Sequence, residues 1–562
     1  MCSSFRHSAK AASVDGSTQS HTDGDPFLKL SMKPTYIFLA ALFSFTALCA
    51  FASSVDQSRQ AITLSLGGEP TTLDSMKASD VLSFTLINHM QEGLLRYGPR
   101  GKLVPAIAES WLLEDKQARF KLRKDALWSD GSQITAHDFV FAWRTIVMPE
   151  TASEYAFVFY PVKNAEAIAN GQLQADTLGV SAIDDFTLLV EFESVCPYFL
   201  ELAAFGSFSP VNESFYQLRG ERYAADKEDL LFSGPFRLDE WVHGASLKMV
   251  KNERYWDRAS IHLNEINFAY VTGDAFARFN LFKNDQIAMT PLNAETVQQA
   301  VAAKYKVRTH LSGQVQFLVH NFREGRPTVN LDLRRAIEAV YDREEFVNRV
   351  TAIPGNIAAT SLFPSWINGV EKPFKVEYPA PIGRGPDIRL GNQHLNKARH
   401  ALGEIPPLVL LLTNSSTSVK MGEYLQGRLK EALGIDLRLD HQVVKQYYDK
   451  LAKGSFDIAM WGWLPDYDDI LTYADLMASW NLNNRGQYRN PEFDRLVRVV
   501  QSSTEPSTRM QAAAELQRIL SEDAVILPQM EVGVVYVLNP NLRGVVRRRF
   551  GADPDFTYAR VR

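Results

Sequence analysis

Residues Phe456 to Tyr467 read FDIAMWGWLPDY. The run Phe456–Trp463 is apolar at almost every position, which predicts a strand buried on both faces. Just upstream, Ile435, Leu437 and Leu439 alternate with charged partners and predict another strand. Before that, Met421, Leu425, Leu429 and Leu433 share one helical face, and Gly434 follows as a C-cap. Leu395, Ala398 and Leu402 mark a further helical face. The same alternation runs toward the amino terminus. Ala61–Leu66 reads as a strand ending at the turn Gly67–Pro70, and Val81–Leu95 reads as a helix. Phe120 and Leu122 alternate with Arg119, Lys121 and Arg123 as a half-buried strand, and Asp130-Gly131 makes a turn. Thr135 to Asp138 then opens an amphipathic helix, Phe139–Ile146, with capping-box spacing. Asn330 to Arg335 opens another helix, whose charges are expected in solvent. Helices alternating with strands imply α/β organisation.

The chain has 562 residues, enough for three to four domains at roughly 150 residues each. Hydrophobic residues make up 46% and charged residues 22%, which excludes a disordered or polytopic membrane chain. Sixty basic and 65 acidic residues are interspersed without a basic tract, so nucleic acid is not an expected partner. Three cysteines cannot build a disulfide framework or a four-thiolate zinc site. Residues Tyr36–Ala52 carry no charge, follow Met32-Lys33 and close on Ala50-Phe51-Ala52. A basic start, an apolar run and an A-x-A end describe a secretory signal peptide over 32–52, with export to the periplasm. A membrane anchor is the alternative, because 17 residues is the lower limit for a spanning helix. Residues 1–31 read as a disordered leader or a misassigned start.

Enzyme signatures are missing: there is no G-x-S-x-G, H-E-x-x-H, P-loop or G-x-G-x-x-G. The histidines form no metal motif, so no catalytic residue, metal or cofactor is assigned. The stretch after the buried strand has a chemistry of its own. An ionised Asp466 could meet a free amino terminus, which is mostly cationic at neutral pH. In a water-poor cleft that pair is a charge-assisted hydrogen bond. Trp463 offers an apolar wall and a cation-attracting face. Gly462 permits close approach of another backbone, and an extended peptide could add to the strand by main-chain hydrogen bonds. Core packing for Trp461 and Trp463, with a turn role for Asp466, is the alternative.

Two longer segments carry a family resemblance. One runs Pro105 to Trp111, Phe120 to Gly131 and Thr135 to Val140; the other is Trp461 to Tyr467. Glu92 to Leu95, Thr151 to Ala156, Ser233 to Phe236, Asn252 to Trp256 and Asp553 to Tyr558 follow in the same order. Together they resemble the peptide-binding class of extracytoplasmic solute-binding proteins of ABC importers (solute-binding protein family 5), over about residues 60 to 560. The resemblance implies a two-lobed periplasmic-binding-protein fold of the class II type, with an additional inserted domain and the ligand in the interdomain cleft. Domain I would comprise 54–91, 215–312 and 559–562, domain II 92–214, and domain III 313–558. The implied function is capture of oligopeptides by a monomeric receptor that delivers them to a membrane-embedded ABC permease, without catalysis. The implied site residues are Asp466 as amine anchor with Trp463, Gly462, Leu464, Tyr155, Asn414 and Tyr558. Tyr155 could equally be a core tyrosine, and Asn414 a turn residue.

The chain departs from that family's pattern in several places. Family arginines fall at Met460 and Leu451, an acidic residue falls at Ser79, and a cysteine falls at Leu464, so the family's disulfide is not expected. The amine end is retained while the carboxylate end is altered, which implies a different length preference or a modified peptide such as a cell-wall fragment. Nickel or haem capture within the same family, and an exported hydrolase, are the competing readings.

Overall fold

The computed structural model describes residues 53–381 and 385–562, so the leader and the segment 32–52 lie outside the described residues. Three main sheets organise the chain. The first has five strands in the order Val55–Asp56, Ala61–Leu66, Glu265–Val271, Ser246–Lys251, Phe236–Val242. Its parallel step joins Ala61–Leu66 to Glu265–Val271, so the chain leaves this sheet and returns almost 200 residues later. The intervening segment builds a four-stranded antiparallel sheet ordered Ala108–Leu113, Gln117–Leu122, Thr187–Glu191, Val180–Asp184. Alternate residues of Gln117–Leu122 are buried, matching its period-two pattern.

The third sheet has seven strands. Its main path is Met289–Leu292, Ile526–Leu538, Arg308–His320, Ile458–Trp463, Leu408–Thr413, Leu437–Gln442, and Ile357–Ala358 pairs with Ile526–Leu538. Leu408–Thr413 is parallel to both Leu437–Gln442 and Ile458–Trp463. Parallel pairing needs a crossover, and the helix Ser416–Leu433 supplies the first. Its buried residues include Met421, Leu425, Leu429 and Leu433, and Gly434 ends it in the left-handed region at φ 65°. These side chains share one apolar cluster with Leu408, Leu410, Leu412, Ile458 and Met460.

Local signals set most helix starts. Thr135 and Asp138 form the expected capping box, and the helix runs Ala136–Val147, one turn earlier than the apolar pattern alone places it. Three expectations are corrected. The helix beginning at Val81 stops at Met90, not Leu95, because Gln91 turns extended to reach Leu231 and Ser233. Leu402, the last residue of Ile388–Leu402, is 42% exposed because the packed stripe ends at Ala398. Arg334 is not solvated: it is 4% exposed. Its guanidinium donates to the carbonyls of Thr328 and Val329 at 2.8 Å and of Asp523 at 2.6 Å, joining two helix ends.

Arg334→Met would leave these buried carbonyls without donors. We expect a loss of about 2–4 kcal/mol in urea unfolding, with an unchanged m-value. A loss below about 0.5 kcal/mol would show that water replaces the guanidinium without penalty.

Candidate functional site

The strand Ile458–Trp463 carries the site. On one side it pairs antiparallel with Arg308–His320 along its whole length, from Ile458 opposite His320 to Trp463 opposite Val315. On the other side it pairs with Leu408–Thr413 only at Ile458 and Ala459. Met460 to Trp463 therefore have a strand partner on one edge alone. Period-two geometry turns Met460 toward the helix-covered cluster and Trp461 and Trp463 toward the opposite face. The two indoles meet edge to face, with centroids 6.0 Å apart. A Cβ at Gly462 would come within 2.9 Å of Gln314 Nε2 and 3.0 Å of the Val315 carbonyl. The close approach that glycine permits is thus used first by the chain's own neighbouring strand.

Beyond Trp463 the backbone turns at Leu464-Pro465, and Asp466 is held from two sides. Its backbone N–H donates to Thr472 Oγ1 at 3.1 Å, and the Trp463 indole N–H reaches the same oxygen at 3.4 Å. The Tyr155 hydroxyl donates to Asp466 Oδ1 at 3.0 Å from a loop 311 residues away. Burial and the neighbouring carboxylate push the Tyr155 phenol well above its usual range, so it stays a donor. Asp466 keeps some exposed surface yet lies deep, and the depth governs its titration: desolvation lifts it to about 7 against the Tyr155 hydrogen bond.

Other acids surround it. Burial raises Asp475 to about 7, with Asp466 adding to the effect, and raises Glu201 to about 7 despite a 2.8 Å donation from Tyr97. Asp469 is neutralised by a two-pronged contact with Arg509 at 2.7 and 2.9 Å. Among the described residues, no basic side chain forms an ion pair with Asp466, Asp468 or Asp475. Tyr198 stacks on Tyr467 with centroids 6.0 Å apart, closing the same region from the side of the four-stranded sheet.

Of the remaining expected residues, Leu464 stays beside the site and Asn414 and Tyr558 fall elsewhere. Leu464 is half-buried on the turn beside Trp463. Asn414 is exposed just past Leu408–Thr413, where its backbone N–H donates to Gln442 at 2.9 Å. Tyr558 lies 5.9 Å over the Arg96 guanidinium, at a cavity of about 70 Å³ shared with Glu92, Arg96 and Tyr97. Tyr97 separates that cavity from the aspartates, accepting from the Asp468 N–H at 3.3 Å. The structure thus brings together Asp466, Trp463, Gly462, Leu464 and Tyr155, and sets Asn414 and Tyr558 apart. Met460 and Leu451 are buried and apolar, and Ser79 is exposed. Sequence reading missed Thr472, Asp475 and Tyr198, which no local pattern marks.

Asp466 carries a testable pH signature. In the folded protein it holds its proton up to about pH 7, whereas an unfolded Asp releases it near 3.8. Between those values the native state binds more protons, so its contribution to stability falls as pH rises. Asp466→Asn should therefore raise the melting temperature at pH 8 and do so much less at pH 5. Equal shifts at both values would show that Asp466 is already ionised at pH 5.

Comparison with known proteins places the chain in a family. The family described as bacterial extracellular solute-binding proteins, family 5 Middle, matches residues 102–484. The oligopeptide-binding protein OppA of Bacillus subtilis is 27% identical over 496 residues, covering 86% of this chain and 90% of that protein. The substrate-binding domain of an oligopeptide ABC transporter from Bacillus anthracis superposes with a TM-score of 0.81 at 30% identity, over 90% of this chain and 100% of that one. Listeria monocytogenes OppA bound to peptide gives 0.80 at 27% identity, over 90% and 99%. The fold is accordingly the two-lobed α/β binding-protein fold with an extra domain and a ligand cleft. This chain belongs to the bacterial extracellular solute-binding proteins of family 5.

Proposed function

We propose that the chain is an extracytoplasmic receptor that captures oligopeptides by their free amino terminus and delivers them to an ABC import permease. The observation that carries this reading is Asp466: a deep carboxylate with one hydroxyl donor, beside a strand edge paired on one side only. An ammonium group satisfies the carboxylate, and the peptide backbone satisfies the edge. Both recognise what every peptide has, so affinity need not depend on side-chain identity. Trp463 walls the amine end and Tyr155 closes over it from the other lobe. Gly462 and Leu464 would offer backbone groups, while Asn414 and Tyr558 would act farther along the ligand.

The domain division proposed from sequence is supported by the sheets. The five-stranded sheet draws on 54–91 and 215–312, and the four-stranded sheet on 92–214. The seven-stranded sheet falls in 313–558 except for Met289–Leu292 and the first residues of Arg308–His320, which tie the lobes together. Closure about such ties excludes water and creates the shape that a permease reads. The receptor acts as a monomer without a catalytic step and is released to the periplasm by cleavage after Ala52. No described helix is long and apolar enough to cross a membrane.

Titration calorimetry with alanine peptides tests the reading. Free-amine peptides should bind and N-acetylated ones should not. Asp466→Ala should weaken binding by about 2–5 kcal/mol; an unchanged affinity would remove Asp466 as the anchor. Below about pH 7 Asp466 takes up a proton and loses the ion pair. Affinity should then fall by at most about tenfold per pH unit, and not at all in Asp466→Asn.

A further inference from the structure

A second charged group faces the same cleft. Arg485 sits in the loop between the helices Leu471–Ala474 and Pro491–Ser502. Its guanidinium lies 6.0 Å from the centre of the Trp461 ring, on the face that Trp461 shares with Trp463. Its Nη2 donates to the amide oxygen of Asn483 at 3.1 Å, and its Nε is buried without a partner. Elsewhere in the molecule Arg96, Arg509, Arg547 and Arg548 each hold a carboxylate. Arg485 makes no ion pair among the described residues; the acid that influences it most is Glu154, next to the Tyr155 that donates to Asp466. Arg485 and Asp466 thus face the same loop from two positions.

The loop that carries Arg485 is fixed. Its carbonyl accepts from Arg323 Nη1 at 2.9 Å, and the next carbonyl, of Gly486, accepts from the Phe322 N–H at 2.8 Å. A Cβ at Gly486 would collide with the His320 carbonyl, so the backbone here is seated against the end of the strand Arg308–His320. A guanidinium fixed at its base, flanked by an indole and short of one acceptor is prepared for a planar anion.

We propose that Arg485 is the second anchor of this cleft and receives a carboxylate of the peptide. This rests on the peptide reading of Asp466 and adds the ligand's other pole. Deep acids lie at the Asp466 end, where Arg549 faces Asp468 without an ion pair, and Arg485 lies near Trp461, an arrangement that suits a zwitterion bound in one orientation. Trp461 and Trp463 are two strand residues, about 7 Å, apart. Because both anchors are held on fixed backbone, carboxylate recognition depends on peptide length.

The test uses alanine di- to pentapeptides, each as free acid and as carboxamide, titrated into the full receptor at pH 7.5. At one preferred length the wild type should bind the acid at least about tenfold tighter than the amide, equivalent to 1.4 kcal/mol. Arg485→Gln should lower acid affinity to the amide level while amide affinity and discrimination against N-acetyl peptides stay, which also shows that the variant is folded. Glu154→Gln should keep the acid-to-amide ratio. Equal binding of acid and amide by the wild type at every length overturns the assignment, as does a ratio that survives Arg485→Gln. A ratio lost equally in Glu154→Gln overturns it too, making Arg485 a lobe-to-lobe contact. Failure of every free-amine peptide to bind strikes the peptide reading itself, and this inference with it.

Discussion

A carboxylate placed deep in a protein must find a cation, a proton or enough hydrogen bonds, because its hydration is gone. Among the described residues, Asp466 has one hydroxyl donor and no cationic partner. Everything around it preserves that state. The strand Ile458–Trp463 is stiffened by full pairing with Arg308–His320, Thr472 holds the backbone of the turn, and the Tyr155 phenol stays protonated. The deficit is therefore positioned to better than a side chain's freedom.

The contrast with neighbouring acids separates paired from unpaired charge. Asp469, only three residues on, is neutralised by Arg509, and Asp555 by Arg548. Glu92 is enclosed by the Tyr255 hydroxyl at 2.5 Å and the Trp256 indole at 2.6 Å. These groups have spent their bonding capacity on the fold. Asp466 and Asp475 have not, and they lie where Tyr155, Tyr198 and Tyr467 bring two parts of the molecule together.

What could be read in the sequence was what is decided locally. The caps at Thr135 and Gly434, the alternating strand Gln117–Leu122 and the doubly buried strand Ile458–Trp463 follow from near neighbours. What could not be read was decided at a distance. Gln91 abandons a helix for partners about 140 residues on, and Arg334 is drawn inside by carbonyls 189 residues away. The motif gave Asp466, and the resemblance gave Tyr155, but no pattern joined them across 311 residues. Arg485 sits in a loop of asparagines and glycine that carries no signal at all. The resemblance supplied Asn414 and Tyr558, and only coordinates show that neither touches the aspartate.

The half-paired strand has one more consequence. An unpaired strand edge is a template for other chains, and proteins usually blunt it with charge, proline or a bulge. Here Met460 and Trp461 are only 6% and 8% exposed and the Tyr447 hydroxyl donates to the Met460 carbonyl at 2.6 Å, so side chains cover part of the edge. The apolar side chains of this edge are thus kept out of solvent while its backbone stays without a second strand.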